Sequence, residues 1–242
     1  MHIDLAYAFK TLVNAWPMFF YGIKMTLAFA IVGTVLGLVV GLFVGTIRTL
    51  IIDDFDTNFI KFMKKLGHFI TGIYIWVFRG TPMMVQAIFL YYLLKPILHW
   101  SGFSAGMFII SINTGAYMAE IIRGGINSVD KGQSEAAKSL GMTNLQTMFY
   151  IIFPQAIKNT FPSIGNQLIV NIKDSCMLNV ISVTELYFQA SSIAGSNMRY
   201  LEVYLITALI YLLLTTLASL LLDYLERKIS GNQVLSIKDH CA

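Results

Sequence analysis

Charge is what this sequence has least of. Only 12% of its 242 residues are Asp, Glu, Lys or Arg, about half the roughly 25% of an average soluble domain. Seventeen basic and 13 acidic side chains cannot cover a soluble core of this size. With 56% hydrophobic residues and a mean hydropathy of +0.67, the chain reads as an integral membrane protein. Cysteine is almost absent: Cys176 and Cys241 are too few and too far apart for a disulfide framework, a zinc knuckle or a CxxC redox pair. No G-x-x-x-x-G-K-[ST] phosphate loop occurs, and no HxxxxD, HExxH or paired-carboxylate pattern of a membrane transferase. Neither internal repeats nor low-complexity tracts are visible. The net charge of +4 invites a nucleic-acid reading, but the charges sit between apolar runs, where the positive-inside rule accounts for them. The first apolar run is too long for a cleavable signal peptide and lacks a small-residue cleavage site, so it reads as a permanent anchor.

A bilayer-spanning helix needs about 20 mostly apolar residues. Five stretches qualify: 25–47, 69–94, 103–122, 161–184 and 203–222, which predicts an all-α, five-span architecture in a single transmembrane domain over 1–242. The first carries Gly33, Gly37, Gly41 and Gly45 at four-residue spacing, a smooth stripe on which another backbone can approach closely. The connector 48–68 is polar and partly amphipathic, and the tail after Lys228 is expected to be poorly ordered. Five spans put the termini on opposite sides. If the connectors after spans one, three and five share a side, it holds eleven Lys and Arg against four on the other. The N-terminus is therefore expected outside and the long polar stretch 124–156 in the cytoplasm.

Ionisable groups inside a membrane are costly and by default mark a functional site. Lys173 and Asp174 stand in the middle of the fourth expected span, beside Asn171 and Ser175. Asp174 suits the ammonium of a zwitterionic amino acid, and Lys173 or a backbone donor its carboxylate. The competing reading is an interspan salt bridge, Asp174 with Arg79 or Lys173 with Glu120. In the third span Asn113 and Tyr117 are one turn apart and share a face, with Thr114 beside them; ordinary interhelical hydrogen bonding is the alternative. Arg79-Gly80-Thr81-Pro82 interrupts the second span, where Pro82 removes a backbone donor. Interrupted helices often line transport sites, so Arg79, Thr81 and Gln86 join the substrate-path candidates. Glu120 and Arg123 read as a structural pair. Trp76 and Trp100 read as interfacial anchors, and His68 and His99 lack partners at metal-ligand spacing.

Within 124–156, Glu135 to Leu140 is a run of strong helix formers. Gly141 can close it with a left-handed cap, and a second helical stretch leads to Pro154. Small Ala136 and Ala137 suit docking into a groove on a soluble partner, or equally packing on the protein's own spans. The pattern Glu135-Ala136-Ala137, three residues, Gly141, nine residues, then Ile151-Ile152-Phe153-Pro154 resembles the "EAA" signature of permease subunits of binding-protein-dependent ABC importers. Phe153 stands where that pattern usually has Leu. Arg79-Gly80-Thr81-Pro82, the stretch Ala116 to Ile126, Gly132 to Met142 and Pro154 to Asn159 are similar to polar amino acid permeases of the histidine/glutamine/arginine type, and the likeness runs from Met25 to about Lys228.

The resemblance implies a type I ABC importer permease fold in a bacterial cell membrane, paired with a second copy or a paralogue. It implies two cytoplasmic ATPase subunits docked at Ser134, Glu135, Ala136, Ala137, Leu140, Gly141 and Met142, and an extracellular binding protein that delivers an amino acid. No catalytic residue, metal or cofactor is expected on this chain; ATP and Mg belong to the ATPase partner. The competing class is a secondary transporter or channel subunit that uses Lys173 and Asp174 as a gate without ATP.

Overall fold

The structure, a computed structural model, describes residues 4–50, 52 and 56–230, with side chains through 228. Among these residues every regular element is helical. Helix α1 (Leu5–Asn14) is capped by Asp4, whose carboxylate accepts from the Tyr7 amide at 3.0 Å. One residue later α2 (Trp16–Thr49) begins, with Pro17 in its first turn. The second expected span is two helices, α3 (Asn58–Gly80) and α4 (Met83–Leu98), bent by 115° relative to each other. Pro82 is the cause: it forces Thr81 into an extended conformation (φ −126°, ψ 147°), as the residue before a proline usually is. Helix α5 (Gly102–Asn127) follows, started by a Ser101–Ser104 capping box.

The polar stretch expected at 124–156 is itself mostly helical. It contains the end of α5, then α6 (Lys131–Ser139), α7 (Asn144–Thr147) and a π-helical turn (Met148–Ile152) that runs without interruption into α8 (Phe153–Asp174). The wide turn has a local reason. Pro154 has no N–H to give the carbonyl four residues back, and the Phe153 amide bonds instead to Met148 O, five residues back. The fourth expected span, 161–184, is not one helix. α8 stops at Asp174, a 3₁₀ turn occupies Ser175–Ile181, and α9 (Leu186–Asn197) starts after Glu185. Helix α10 (Tyr200–Ser230) carries the fifth. By length and composition α2, α5 and α10 are able to cross a membrane, and α3 with α4 makes a fourth if the bent pair is one crossing. α8, with Lys158, Lys173 and Asp174, does not qualify on its own. Most of the tail, and Cys241 with it, lies outside the described residues, as do Asp53 and Asp54 of the connector.

The glycine stripe of α2 is the tightest seam in the bundle. A Cβ on Gly41 would lie 2.3 Å from Met118 Cβ and 2.9 Å from the Ala119 backbone nitrogen; one on Gly37 would meet Thr114 at 2.6 Å. Gly33 and Gly45 face Ile110 and the Ala119 carbonyl in the same way. α5 therefore lies along α2 at backbone distance, and van der Waals contact replaces the hydrophobic drive that lipid does not supply. α8 packs against α2, α5 and α10. α10 stays at the periphery, with Leu209, Leu212, Leu213, Leu217, Leu220 and Leu221 exposed.

Gly41→Leu forces the two backbones apart and is expected to cost at least about 1–3 kcal/mol. The check is a thermal unfolding curve in detergent beside Gly195→Ala, whose Cβ meets nothing within 4 Å; a shared midpoint would remove the seam from the account.

Candidate functional site

The two helix interruptions rest on one core. Met83 and Ala87 of α4, Leu178 and Ile181 of the 3₁₀ turn, Ala105, Ile109 and Ile110 of α5, and Phe29 of α2 form a single buried cluster. Each interruption leaves backbone groups that lipid cannot hydrogen-bond, and side chains take them up. At the end of α3 the Thr81 hydroxyl donates to Val77 O at 2.8 Å. Gln86 Nε2 donates to Phe78 O (3.0 Å), Thr81 O (2.8 Å) and Thr81 Oγ1 (2.8 Å). Asn113 Nδ2 donates to Gln86 Oε1 at 2.9 Å. Gln86, Thr81 and Asn113 are thus brought together, and the first two hold the break closed.

Asn113 and Tyr117 do share a face, turned to α3. The Tyr117 ring lies under the Arg79 guanidinium at 5.5 Å, and its hydroxyl makes no hydrogen bond among the described residues. Arg79 also reaches Glu120 Oε2 at 3.7 Å, while Arg123 holds the same carboxylate through Nη2 at 2.7 Å and Nε at 3.2 Å. The expected Glu120–Arg123 pair is present. Neither interspan alternative forms: Glu120 is taken by two arginines, and neither Lys173 nor Asp174 makes a side-chain hydrogen bond or ion pair among the described residues. Lys173 is exposed and Asp174 half-buried at the last turn of α8. Trp76 is 78% exposed, whereas Trp100 donates to Tyr91 O at 3.3 Å.

Asn171 faces the other way. Its amide donates to Thr34 Oγ1 (2.9 Å), and its oxygen accepts from Thr114 Oγ1 (3.0 Å) and Gln167 Nε2 (3.5 Å). This buried hub ties α2, α5 and α8 together just below Lys173. Ser175 is fully buried and donates to Ile172 O. Asn171, Thr114 and Ser175 therefore have their hydrogen bonds inside the bundle, while Lys173, Asp174, Arg79 and Tyr117 keep polar capacity directed outward.

The helical excursion between α5 and α8 is built by caps. Asp130 accepts from the Gly132 amide at 2.7 Å and starts α6. Gly141 ends it at φ +79°; its amide donates to Lys138 O (2.9 Å) and that of Met142 to Ala137 O (3.1 Å), the paired bonds of a Schellman closure. A Thr143–Gln146 capping box then starts α7. Of the two alanines, Ala137 is buried, on a helix that packs against α7 and the π turn, and Ala136 is exposed. Glu135 is exposed, and Ser134 and Met142 are half-buried. Leu140 is 84% exposed, with Leu145, Phe149 and Tyr150 also open, an apolar corner on an otherwise polar segment.

Two buried acidic residues escaped the sequence reading: Glu202, which reaches Arg199 at 3.4 Å, and Glu185. Glu185 is completely buried. Its carboxylate accepts from the Tyr187 and Phe188 amides, both at 2.8 Å, and from the Tyr211 hydroxyl at 3.0 Å. Glu is not a preferred N-cap residue, and nothing near Tyr211 in the sequence marks it as a partner.

The same arrangement of helices occurs in known transporters. A crystal structure of an amino acid ABC transporter with histidines superposes with a TM-score of 0.81 at 39% identity, covering 94% of this chain and all of that one. An inward-facing structure of the MetNI methionine ABC transporter, 19% identical, shares the fold with a TM-score of 0.75 over 88% of this chain and 96% of that one. The fold is that of ABC importer permeases. Residues 60–231 match the profile of binding-protein-dependent transport system inner membrane components, and the chain belongs to that family, whose members are transport subunits and not enzymes. It is 38% identical over 217 residues to the glutamine transport system permease protein GlnP of Escherichia coli K12, spanning 88% of this chain and 94% of GlnP. It is 35% identical over 227 residues to the probable amino-acid permease protein YxeN of Bacillus subtilis, over 92% and 93% of the two chains.

Gln86→Leu removes the donor to the Thr81 carbonyl and leaves the buried Asn113 amide with only the Phe78 carbonyl at 3.4 Å. An unpaired buried polar group costs about 1–3 kcal/mol, so a lowered unfolding midpoint is expected in detergent. A wild-type midpoint would show that water reaches the break.

Proposed function

We propose that this chain is the membrane permease subunit of an ABC importer for a polar amino acid, driven by two separate ATPase subunits and supplied by an extracellular binding protein. It works beside a second permease copy or a paralogue, with its N-terminus outside and the α6–α7 excursion in the cytoplasm. α8 serves as the fourth of five crossings; its polar residues are sheltered by α2, α5 and α10. ATP-driven closure of the ATPases moves the docked α6–α7 corner and rocks the helices between outward- and inward-facing states. ATP and Mg act on the partner.

The observation that carries this reading is the set of exposed apolar residues Leu140, Leu145, Phe149 and Tyr150 on the excursion between α5 and α8, whose turn is fixed by the Gly141 closure. Such a corner fits a groove on a soluble partner, with Ser134, Glu135, Ala136 and Met142 at its edge and Ala137 anchoring it. For the amino acid, Asp174 meets the ammonium and Lys173 the carboxylate. Arg79, Tyr117 and Thr81 line the path, and Asn171, Ser175, Thr114, Asn113 and Gln86 hold its walls. The Asp174 carboxylate favours a neutral or cationic amino acid over an acidic one. The relatives named for glutamine and amino-acid transport support that class.

Gly141→Val puts a branched side chain at a left-handed φ, a strain of about 1–2 kcal/mol, and Leu140→Asp charges the corner. Both are expected to insert normally yet lose co-purification with the ATPase and all ATP-driven uptake in vesicles. Uptake that continues without nucleotide would favour a channel or secondary carrier and end this reading.

A further inference from the structure

An ionised carboxylate withdrawn from water costs several kcal/mol unless it is fully hydrogen-bonded, and within a membrane protein such a group calls for a reason. Glu185 is 0% exposed where a neutral Ser, Thr or Asn would cap α9 more cheaply. Its place in the chain supplies the reason. Ten residues separate it from Asp174. That stretch holds the 3₁₀ turn, then Ser182 at φ +63°, an unusual angle for a residue other than glycine. The turn closes on itself through Ser182 N to Asn179 O and Val183 N to Leu178 O.

Both ends of the stretch are pinned. On the α8 side the Asn171 hub fixes the helix just before Lys173. On the α9 side Glu185 holds two α9 amides and Tyr211 of α10, while the adjacent Leu186 amide donates to Thr26 Oγ1 of α2 at 3.2 Å. Gly22 of α2 completes the contact: a Cβ there would lie 2.7 Å from Leu186 Cα.

We infer that Glu185 is a positioning residue for substrate recognition: with Tyr211 and Thr26 it clamps the far end of the 3₁₀ stretch and so sets where Asp174 presents its carboxylate. This rests on the reading of Asp174 as a substrate contact. The clamp orders a segment with no helical hydrogen-bond ladder of its own and leaves Lys173 and Asp174 in a fixed relation to α2 and α10.

The test uses the complete transporter in vesicles with saturating binding protein and glutamine as probe, comparing wild type with Glu185→Gln, Tyr211→Phe and Asp174→Asn. Glu185→Gln is isosteric, and Tyr211→Phe removes one hydroxyl and leaves the carboxylate in place. Each is expected to raise the half-saturation concentration at least about threefold, as coupled neighbours do, with a smaller change in maximal rate; Glu185→Gln turns an NH2 toward a backbone donor and is expected to lower the unfolding midpoint as well. Glu185→Asp, shorter by one methylene but still anionic, is expected to fall between wild type and Glu185→Gln. A lowered midpoint with unchanged half-saturation would make Glu185 a fold-stabilising cap and overturn the inference. If Glu185→Gln does not assemble, Tyr211→Phe decides by the same two readings. Should Asp174→Asn leave half-saturation unchanged, the substrate reading of Asp174 fails; should it alone raise half-saturation, only the clamp fails.

Discussion

Inside a bilayer every backbone amide and carbonyl has to find its partner within the protein, because hydrocarbon offers none. This chain interrupts two of its helical stretches, after Gly80 and after Asp174, and the arrangement around each break follows from that requirement. After Gly80 the stranded carbonyls of α3 are met by Thr81, Gln86 and Asn113; after Asp174 the chain tightens into 3₁₀ geometry and restarts under Glu185. The polar residues that look anomalous in an apolar sequence therefore mostly bond inside the bundle, to backbone groups or to one another. Lys173 and Asp174 keep their side chains free of hydrogen bonds and ion pairs among the described residues, Arg79 and Tyr117 engage only each other and Glu120, and the functional reading narrows to these four.

The breaks are tolerable because the rest of the bundle is held tightly. The glycine seam lets α2 and α5 run at backbone distance, and the Asn171 hub locks α8 into the groove beside them. Arg79, whose guanidinium would be an uncompensated charge in lipid, is screened by Glu120 and the Tyr117 face. Close packing supplies the rigidity, and hydrogen bonding supplies the register.

Much of this was legible in the residues. Uninterrupted apolar runs located α2, α5 and α10, and four glycines at helical spacing announced a packing face. Gly141 at the end of a run of helix formers marked the turn. Pro82 marked the first break but not its angle, because a 115° bend depends on what α4 packs against. The second break was hidden: no proline or glycine stands between Asp174 and Glu185, and residues 175–184 are apolar enough to continue a helix. What ends α8 is tertiary, the burial of Leu178 and Ile181 against α4 and α5. The division of Asn171 from Lys173 was equally invisible, since sequence adjacency says nothing about which of the two finds three partners.

The unbroken run from Asn144 through the π turn to Asp174 has a mechanical consequence. At 1.5 Å per residue it is a rod roughly 45 Å long, with the α6–α7 corner at one end and the Lys173–Asp174 pair at the other. Over that length a swing of about 5° displaces the far tip by about 4 Å, more than the reach of a hydrogen bond. A modest tilt at one end is thus enough to make or break a polar contact at the other, with the packing of α8 on α2, α5 and α10 shifting by less than the tip does.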